Sequence, residues 1–372
     1  MQEMTEKVAS VRFKNLTIDT LRAFDFHSQE YRSLVEKSNV TAFQSAEWLS
    51  QFYGTLVPNF GFEPVIVTVH DDVDKLIALL PMVRQTKLGV RLLQPADLGI
   101  TDYNQVVASS ETLMALAGEK AFQADLRNAL KPFDILLFRK QHENAFDVSS
   151  LLEGSESSPN DNSAYYFMMD EDFEIWKQRT LSKPTRKGLS RKRRNIEVDH
   201  PSVRYEVLQT PSDITRAFEY MRNKRAERFE DDLLARDGYF EFYLNLAIRH
   251  AADGFTQVFT CVIDDKFVTI DFCLRYRGRQ YFLLSAFNEA YGRYSPGMLS
   301  LLELMGNAKA EGVSYFDLTI GDEDYKSSFK AEQVDLHNVI VPNGPLGLLC
   351  KAAYQNKGHM REILKKVSPN IR

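Results

Sequence analysis

The sequence predicts an α/β protein made of two similar domains, and three observations carry that prediction. The chain has 372 residues, more than one ordinary hydrophobic core organises. Residues 151–164, LLEGSESSPNDNSA, are rich in Ser, Asn, Gly and acidic residues, a composition typical of a linker. The same order of elements recurs on both sides of this linker. We therefore expect one domain over 1–160, a second over 161–340, and a helix within 341–372 that packs back on the domains.

The repeated unit begins with a β-hairpin. Residues 65–83, VIVTVHDDVDKLIALLPMV, alternate as strand, Asp-Asp turn and strand, and residues 258–276, VFTCVIDDKFVTIDFCLRY, have the same form. The helix and apolar strand that follow each hairpin are at 111–131 and 133–138 in the first half and at 295–312 and 316–320 in the second. The pattern indicates two copies of one α/β unit, each a mixed central sheet flanked by helices. Chance similarity between two common β-β-α-β runs is the alternative.

Composition and charge narrow the class of protein. Hydrophobic residues make up 44% and charged residues 26% of the chain, as in soluble globular proteins. A net charge of −5 argues against a general nucleic-acid binder, which would be basic. The start lacks a signal-peptide core, no apolar run approaches the ~20 residues of a membrane span, and the three cysteines form no CxxC pair. We expect a reduced, cytoplasmic protein, and the seven scattered histidines predict no metal site.

Residues 176–194, WKQRTLSKPTRKGLSRKRR, stand out by charge, since they hold nine Lys or Arg and no acidic residue. Two interpretations stay open. The stretch is either a solvated helix face or a docking surface for a polyanion such as a phosphate, a nucleotide or RNA. Trp176 is its only aromatic residue, which argues against a platform for stacking single-stranded bases.

The stretch YGRYSPGM (291–298) predicts a helix start suited to an anion. Ser295 has the side chain of an N-cap, Pro296 fits the first helical position, and Gly297 leaves the first N–H groups uncovered. Free N–H groups and the helix dipole attract negative charge, and Arg293 adds a cation nearby. Phosphate binding is one interpretation of this stretch, and plain helix capping is the other.

Acidic residues on two predicted strands are candidates for acid–base chemistry. Asp317 lies inside the strand YFDLTI, where a buried acid is costly unless paired, and Lys326 in the following loop is the expected partner. Asp271 occupies a similar position in TIDFC, on the second strand of its hairpin. Such a carboxylate deprotonates or orients an amine or a hydroxyl. A structural Asp–Lys pair without chemistry is the alternative for Asp317.

The hairpin, YGRYSPG, its helix and DLTIGDEDYKSSFK together resemble the acyltransferases grouped with the bacterial cellulose-biosynthesis protein CelD, a branch of the GNAT superfamily close to the Fem-type aminoacyl transferases. Segments of the first half fit the same pattern: FQSAEWLSQFY at 43–53, IALLPMV at 77–83 and LGITDYNQVV at 98–107. The resemblance covers roughly residues 40–335. It implies two tandem GNAT-like domains, of which the first is degenerate and lies on the acceptor side.

The resemblance also implies a donor site, with acyl-CoA as the cosubstrate and no metal. The residues that would face the donor's pyrophosphate and its pantetheine arm are, respectively, Arg293, Ser295, Gly297 and Met298, and Phe287 and Asn288. The residues expected to flank the reacting groups are Asp317, Tyr325 and Lys326. The first domain would cover an acceptor cleft lined by Trp48, Asp102 and Tyr103, unless these three are only core and turn residues.

These features favour transfer of an acyl group from an acyl-CoA or another acyl thioester to an amine or hydroxyl of a cell-envelope sugar or a small acceptor. A backbone N–H of the splayed central strand would polarise the donor carbonyl, a carboxylate would deprotonate the acceptor, and Tyr325 would protonate the leaving thiolate. Fem-type relatives instead take the acyl group from aminoacyl-tRNA, a donor that the basic stretch at 176–194 would suit. A non-catalytic binding module in exopolysaccharide assembly is the third hypothesis.

Overall fold

The computed structural model describes residues 6–355. Its β-strands, in chain order, are β1 (Lys7–Phe13), β2 (Leu16–Leu21), β3 (Glu63–His70), β4 (Leu76–Lys87), β5 (Val90–Pro95), β6 (Val107–Ala108), β7 (Ile135–His142), β8 (Glu156–Pro159), β9 (Ala164–Met168), β10 (Arg204–Leu208), β11 (Thr256–Ile263), β12 (Lys266–Tyr276), β13 (Arg279–Phe287), β14 (Tyr315–Ile320), β15 (Glu332–Val334) and β16 (Leu336–Pro342). Its α-helices are α1 (Gln29–Lys37), α2 (Ala46–Gln51), α3 (Val57–Asn59), α4 (Ser110–Leu116), α5 (Lys120–Ala129), α6 (Phe173–Thr180), α7 (Lys183–Asp199), α8 (Pro211–Ala226), α9 (Asp237–His250), α10 (Pro296–Ala310), α11 (Asp324–Ser328) and α12 (Gly344–Gln355).

The chain forms two compact units, each with one β-sheet. The first unit runs to residue 161 and resumes at residue 335, and the second is Asn162–Val334. The predicted boundary at residue 340 differs from this division, because β16 joins the first unit's sheet between β7 and β8. Residues 339–341 of β16 are buried, so this strand supplies core side chains as well as backbone pairing to the first unit.

The two sheets share one strand order. The first follows β1-β2-β3-β4-β5-β7-β16-β8, with β6 on β4, and the second follows β10-β11-β12-β13-β14-β9-β15. In the first sheet, strands β2 to β5 pair antiparallel, and β5 then pairs parallel with β7. In the second sheet, strands β10 to β13 pair antiparallel in the same way, and β13 then pairs parallel with β14. Antiparallel strands then complete each sheet. The prediction of an α/β fold with two similar units is confirmed.

Both predicted hairpins form, as β3–β4 and β11–β12. In the second hairpin, Asp264 and Asp265 have φ of 49° and 58°, the positive values that a two-residue hairpin turn needs at both central positions. The helix predicted over 111–131 is instead two helices, α4 and α5. Gly118, with φ of 77°, lies between them, because a residue in the left-handed region ends an α-helix.

Helices cover both faces of the second unit's sheet. Adjacent residues of β12 show this, since successive side chains of a strand point to opposite faces. The Asp271 carboxylate accepts a hydrogen bond from Ser300 of α10, whereas the Phe272 ring contacts Phe218 of α8 and Tyr243 of α9. Helix α10 therefore lies on one face of the sheet, and α8 and α9 lie on the other.

The C-terminal helix predicted within 341–372 begins in α12, and the part after residue 355 lies outside the described residues. Helix α12 packs closely on the first unit. A Cβ added at Gly347 would lie 2.0 Å from the carbonyl oxygen of Asp134, the residue just before β7. Only glycine permits this approach between the helix and the sheet.

Candidate active site

The parallel pair β13–β14 opens part-way along its length. The last ladder pair joins Tyr281 to Asp317. Beyond it, β13 continues to Phe287 along β12, and β14 continues to Ile320 along β9. Because β13 then pairs with a strand on one side only, backbone groups on its other side become available to a ligand. We call this opening the β13–β14 gap.

A bend in β14 produces the gap. Thr319 has φ of 58°, and the pairing of β14 with β9 shifts register between Asp317 and Thr319. The buried Asp317 carboxylate accepts from the Thr319 N–H at 2.7 Å, and Thr319 Oγ1 donates to the Phe282 carbonyl oxygen at 3.1 Å. These contacts give Asp317 a structural task, because they hold the bend at which the two strands diverge.

The predicted Asp317–Lys326 pair is wrong. The buried Lys326 ammonium contacts the Glu323 carboxylate at 2.9 Å. It also donates to the carbonyl oxygens of Thr319 and Gly321, at 3.2 and 2.8 Å. One cation thus binds three oxygens of the same short segment, which fixes the turn between β14 and α11.

Helix α10 follows the open end of β13, and its start differs from the prediction in one respect. Ser295 precedes the helix with φ of 52° and ψ of 58°, and its side chain makes no capping hydrogen bond. Its Oγ instead accepts from the ammonium of Lys192, on α7. The Leu299 N–H donates to the Ser295 carbonyl oxygen at 3.2 Å. Within residues 6–355 no carbonyl accepts from the N–H of Gly297 or Met298, so α10 presents bare donors at its start.

Arg293, the predicted cation of the helix start, already has partners. Its guanidinium contacts the Asp199 carboxylate at 3.1 Å and lies 4.6 Å from the centroid of the Tyr294 ring. The Tyr294 hydroxyl donates to the same carboxylate at 2.6 Å. The Arg293 side chain is 69% exposed, whereas Lys192 contacts the helix start itself. The positive charge at α10 therefore comes from Lys192 on the basic helix.

Phe287 ends β13 beside the helix start. A Cβ built on Gly297 would lie 3.5 Å from the Phe287 ring, and the Arg228 guanidinium lies 4.5 Å from the centroid of that ring. The neighbouring Asn288 caps the next turn, since its Oδ1 accepts from the Ala290 N–H at 3.1 Å. Phe287 thus forms an apolar wall at the mouth of the gap.

A buried carboxyl group lies under α10. Asp271 on β12 is 1% exposed, and its two oxygens accept from Ser285 Oγ at 2.7 Å and from Ser300 Oγ at 2.5 Å. Burial raises the pKa of Asp271 to about 6, against the lowering effect of the two serine hydrogen bonds. A carboxyl group with this pKa is ionised at neutral pH and still basic enough to accept a proton during catalysis.

Tyr325, on α11, is half-buried and packs against the same hydrophobic cluster as Met298. Burial raises the pKa of its hydroxyl, and the carboxylates of Glu323 and Asp271 raise it further. The phenol therefore keeps its proton at neutral pH and is a hydrogen-bond donor.

The corresponding parallel pair of the first unit, β5–β7, is filled by charged side chains. Its ladder ends at Leu93 and Leu136. Beyond that pair the fully buried Asp97 contacts Arg139 at 3.0 Å and Lys140 at 2.9 Å. Burial alone would raise the pKa of Asp97, but the charges of Lys140 and Arg139 outweigh burial and lower it. A buried ion cluster thus stands where the second unit has its gap.

The residues expected to line an acceptor cleft are placed differently. Trp48 is 0% exposed, and its Nε1 donates to Thr101 Oγ1 at 3.2 Å. Tyr103 is 2% exposed, and both rings contact Phe43. Trp48 and Tyr103 are therefore core residues and cannot line an open cleft. Asp102, the residue before Tyr103, is half-buried.

The basic stretch 176–194 forms most of α6 and α7, and Trp176 is buried. Four of its cations are exposed and have no acidic partner within the described part of the chain: Lys183, Lys187, Arg191 and Arg194. At 100° per residue they share one face of α7, away from the buried Leu189 and Ile196, over roughly 17 Å. We call these four residues the cationic stripe.

Sequence reasoning missed three residues of this site: Ser285, Ser300 and Lys192. A signal for the serines existed, since each is a single polar residue inside an apolar run, FLLSAF on β13 and GMLSLL on α10. A buried serine in such a run needs a hydrogen-bond partner. For Lys192 the sequence held no comparable signal, because its contact is 103 residues away.

Between residues 6 and 355, no helix is long and apolar enough to cross a membrane. The same residues contain no group of three or more His, Cys, Asp or Glu that could hold a metal ion.

Comparison with known proteins defines the class. Residues 183–327 match the family model described as the acetyltransferase (GNAT) domain. The matched segment runs from α7 to α11, so it includes Lys192, Asp271 and the start of α10. Residues 183–327 of the second unit are thus similar to a GNAT acetyltransferase domain. No curated protein matches the sequence.

Solved structures share the fold over most of the chain. FemX has a TM-score of 0.63 at 11% identity, covering 92% of this chain and 99% of its own. A tandem GNAT protein from the clavulanic acid biosynthesis pathway has a TM-score of 0.52 at 12% identity, covering 89% and 99%. L-PGS from Bacillus licheniformis has a TM-score of 0.52 at 11% identity, covering 90% of this chain and 97% of its own. At these identities the similarity concerns the fold, a tandem fold that this chain shares with these proteins.

Proposed function

We propose that the second unit transfers an acyl group from an acyl-CoA, or a related acyl thioester, to an amine or a hydroxyl. The observation that carries this proposal is the bare start of α10, which follows the β13–β14 gap and has Lys192 in contact. Free N–H groups, the helix dipole and a nearby cation together suit a pyrophosphate. Arg293 contributes at longer range, since it is paired with Asp199, and Ser295 contributes by holding Lys192.

The donor would enter the gap from this helix start. The N–H groups of Gly297 and Met298 bind its pyrophosphate, and Phe287 with Asn288 flanks the pantetheine arm. The thioester carbonyl then lies beside β13, whose open-side N–H groups polarise it. Donors that are fixed in place before the reaction stabilise the developing oxyanion without reorganisation.

Acid–base chemistry falls to two residues near the gap. Asp271, with a pKa of about 6, takes the acceptor's proton. Tyr325, whose phenol stays protonated, donates to the departing thiolate. Asp317 and Lys326 serve the reaction indirectly, because they hold the bend of β14 and the turn that carries Tyr325.

For the acceptor we propose a sugar of the cell envelope or a related small molecule. This part of the proposal is supported by the resemblance to the CelD group and not by a contact in the site. It predicts that amino sugars and hydroxylated sugars are better acceptors than peptides.

A second candidate donor is aminoacyl-tRNA, and the cationic stripe favours it. Four unpaired cations along one helix face suit a phosphate backbone, and the fold is Fem-like. In that case the aminoacyl end would occupy the gap and the stripe would hold the nucleic acid. The same acid–base residues would serve both donors.

The test is a binding and turnover comparison between donors. Acetyl-CoA, a longer acyl-CoA and an aminoacyl-tRNA are each titrated into the protein by calorimetry, and thiol release from the CoA esters is followed with amino-sugar acceptors. Micromolar binding of a CoA ester with acceptor-dependent thiol release supports the proposal. Binding of aminoacyl-tRNA alone supports the second candidate, and binding of a polysaccharide without any donor contradicts both and leaves a binding module.

A further inference from the structure

The Asp271 carboxylate cannot touch an acceptor directly. It is 1% exposed and lies between β12, β13 and α10. Its described hydrogen-bond partners are two hydroxyls, those of Ser285 and Ser300. Any proton that Asp271 takes from a molecule in the gap must therefore pass through one of these serines.

The two serines differ in whether their hydroxyl oxygens can accept another hydrogen bond. The Ser300 hydroxyl is 0% exposed, and it accepts from Thr269 Oγ1 at 2.9 Å while it donates to Asp271. Thr269 Oγ1 in turn accepts from the Cys261 N–H at 3.1 Å. Each hydroxyl of this branch already accepts a hydrogen bond from another buried group. The Ser300 hydroxyl therefore cannot take a proton from a molecule in the gap.

Ser285 is the open branch. It is half-buried on β13, beyond the last pair with β14, and its Oγ donates to Asp271 at 2.7 Å. Among residues 6–355 no group donates to Ser285 Oγ, so its lone pairs are free. The Arg225 guanidinium donates to the Ser285 carbonyl oxygen at 3.0 Å, which fixes this part of the strand. Two residues further on, Phe287 contacts the start of α10.

We propose that Ser285 contacts the acceptor and relays its proton to Asp271, an assignment that rests on the proposed acyl transfer. The acceptor N–H or O–H donates to Ser285 Oγ. As the acceptor atom bonds to the donor's carbonyl carbon, its proton moves to Ser285 Oγ, and the serine's own proton moves to Asp271. The tetrahedral intermediate then collapses and the C–S bond breaks. Tyr325 protonates the departing thiolate, and the proton on Asp271 returns through Ser285 by way of water to the Tyr325 phenolate, so the enzyme ends as it began. Ser285 is thus the catalytic residue of the pair, and Asp271 acts through it.

The test compares Ser285→Ala and Ser285→Thr with the full-length wild type. The probes are acetyl-CoA as donor and glucosamine or water as acceptor, with CoA release measured from pH 5 to 8. The relay predicts that S285A loses about a hundredfold in turnover while its dissociation constant for acetyl-CoA stays within twofold. S285T keeps a hydroxyl and recovers to within about tenfold of the wild type. In the wild type and in S285T, the rate of CoA release falls as the pH drops below about 6, and we call this fall the acid limb of the pH profile. The residual rate of S285A lacks it.

Two further outcomes decide against the relay. S285A that turns over at the wild-type rate with the wild-type pH profile overturns it and leaves the proposed function standing. A wild type that releases no CoA with either acceptor contradicts the proposed function itself, and the relay falls with it. Ser300→Ala separates a relay from general damage to the network, since it removes the closed branch and shifts the acid limb to higher pH.

Discussion

The Lys192 ammonium donates to the hydroxyl of Ser295, the residue immediately before α10. This contact joins the basic helix α7 to the start of α10. Helix α10 is the helix that follows the β13–β14 gap. Ser295 itself has a left-handed conformation, with φ of 52°, that a non-glycine residue adopts at a cost. A charge and a strained turn are thus fixed together where a pyrophosphate would bind.

Lys192→Ala is expected to weaken acetyl-CoA binding roughly tenfold, about 1.4 kcal/mol. Arg293→Ala is expected to change it less than threefold, because that guanidinium is exposed and already paired with Asp199. Arg194→Ala is the matched control, since it removes one exposed cation from the same helix. Calorimetry at low and moderate salt measures all three, and a larger loss in R293A than in K192A would overturn the assignment of the cation.

Gly297→Ala separates anion binding from folding. The new methyl group would lie 3.5 Å from the Phe287 ring, an ordinary contact, and alanine is a better helix residue than glycine by up to about 1 kcal/mol. Thermal stability should therefore be equal or higher. The methyl group stands beside the bare N–H groups, so we expect roughly tenfold weaker binding of acetyl-CoA. Melting and calorimetry on the same samples check both expectations.

Gly306→Ala is the control for the glycine substitution. It lies on the same helix, and its Cβ would approach the Phe173 ring to 3.1 Å. This variant meets a tighter contact than G297A at a position away from the helix start, and it should keep its donor affinity. Unchanged affinity in G297A, or an equal loss in G306A, would argue that the start of α10 does not bind the donor.

The buried Asp271 makes stability depend on pH. Its native pKa of about 6 lies above the ordinary value, so between about pH 4 and pH 6 the folded state binds more protons than the unfolded state. The free energy of unfolding of the second unit should therefore fall as pH rises through this range, by on the order of 3 kcal/mol. Its titratable neighbours Cys261, Cys273 and Tyr325 have raised pKa values and stay neutral there.

Asp271→Asn tests that pH dependence. The amide cannot ionise, so the free energy of unfolding of the variant should not decline between pH 4 and pH 6. Relative to the wild type, the variant should therefore become more stable as pH rises. Denaturant unfolding of the two proteins at pH 4.5 and pH 7 gives the difference. An equal pH dependence in both proteins would show that Asp271 is not the group responsible.

The ion cluster of the first unit should be necessary for its stability. Asp97→Asn leaves the buried charges of Arg139 and Lys140 without a counter-charge, which costs about 3–5 kcal/mol. Glu119→Ala, which breaks the exposed pair with Lys14, should cost under about 1 kcal/mol. Thermal unfolding with hydrogen exchange at β5 and β7 measures both. A loss in D97N no larger than in E119A would contradict the account of the cluster.

Sequence reasoning succeeded where local chemistry decides the structure. The two hairpins follow from alternating apolar residues and turn aspartates, and the start of α10 follows from Pro296. It failed where a distant contact decides. Ser295 is held by a lysine 103 residues away, and β16 is drawn into the first unit's sheet by β7, roughly two hundred residues earlier. Neither partner is marked in the local sequence.

The acid–base residues show the same division. A carboxylate inside an apolar strand identified both Asp271 and Asp317 as unusual, and both are buried. Their different tasks depend on partners from other elements: Ser285 and Ser300 for Asp271, and the bend at Thr319 for Asp317. A sequence pattern indicates that a buried acid needs partners, but only the fold shows which ones it has.

The most direct test of the central claim is to observe the amide groups at the start of α10 while the donor binds. Amide NMR spectra of the isotopically labelled protein, recorded during a titration with acetyl-CoA, report on each N–H separately. The account predicts that the Gly297 and Met298 signals shift early and saturate with the calorimetric dissociation constant. Saturable binding that leaves these two signals unmoved would contradict it, because the pyrophosphate would then lie elsewhere.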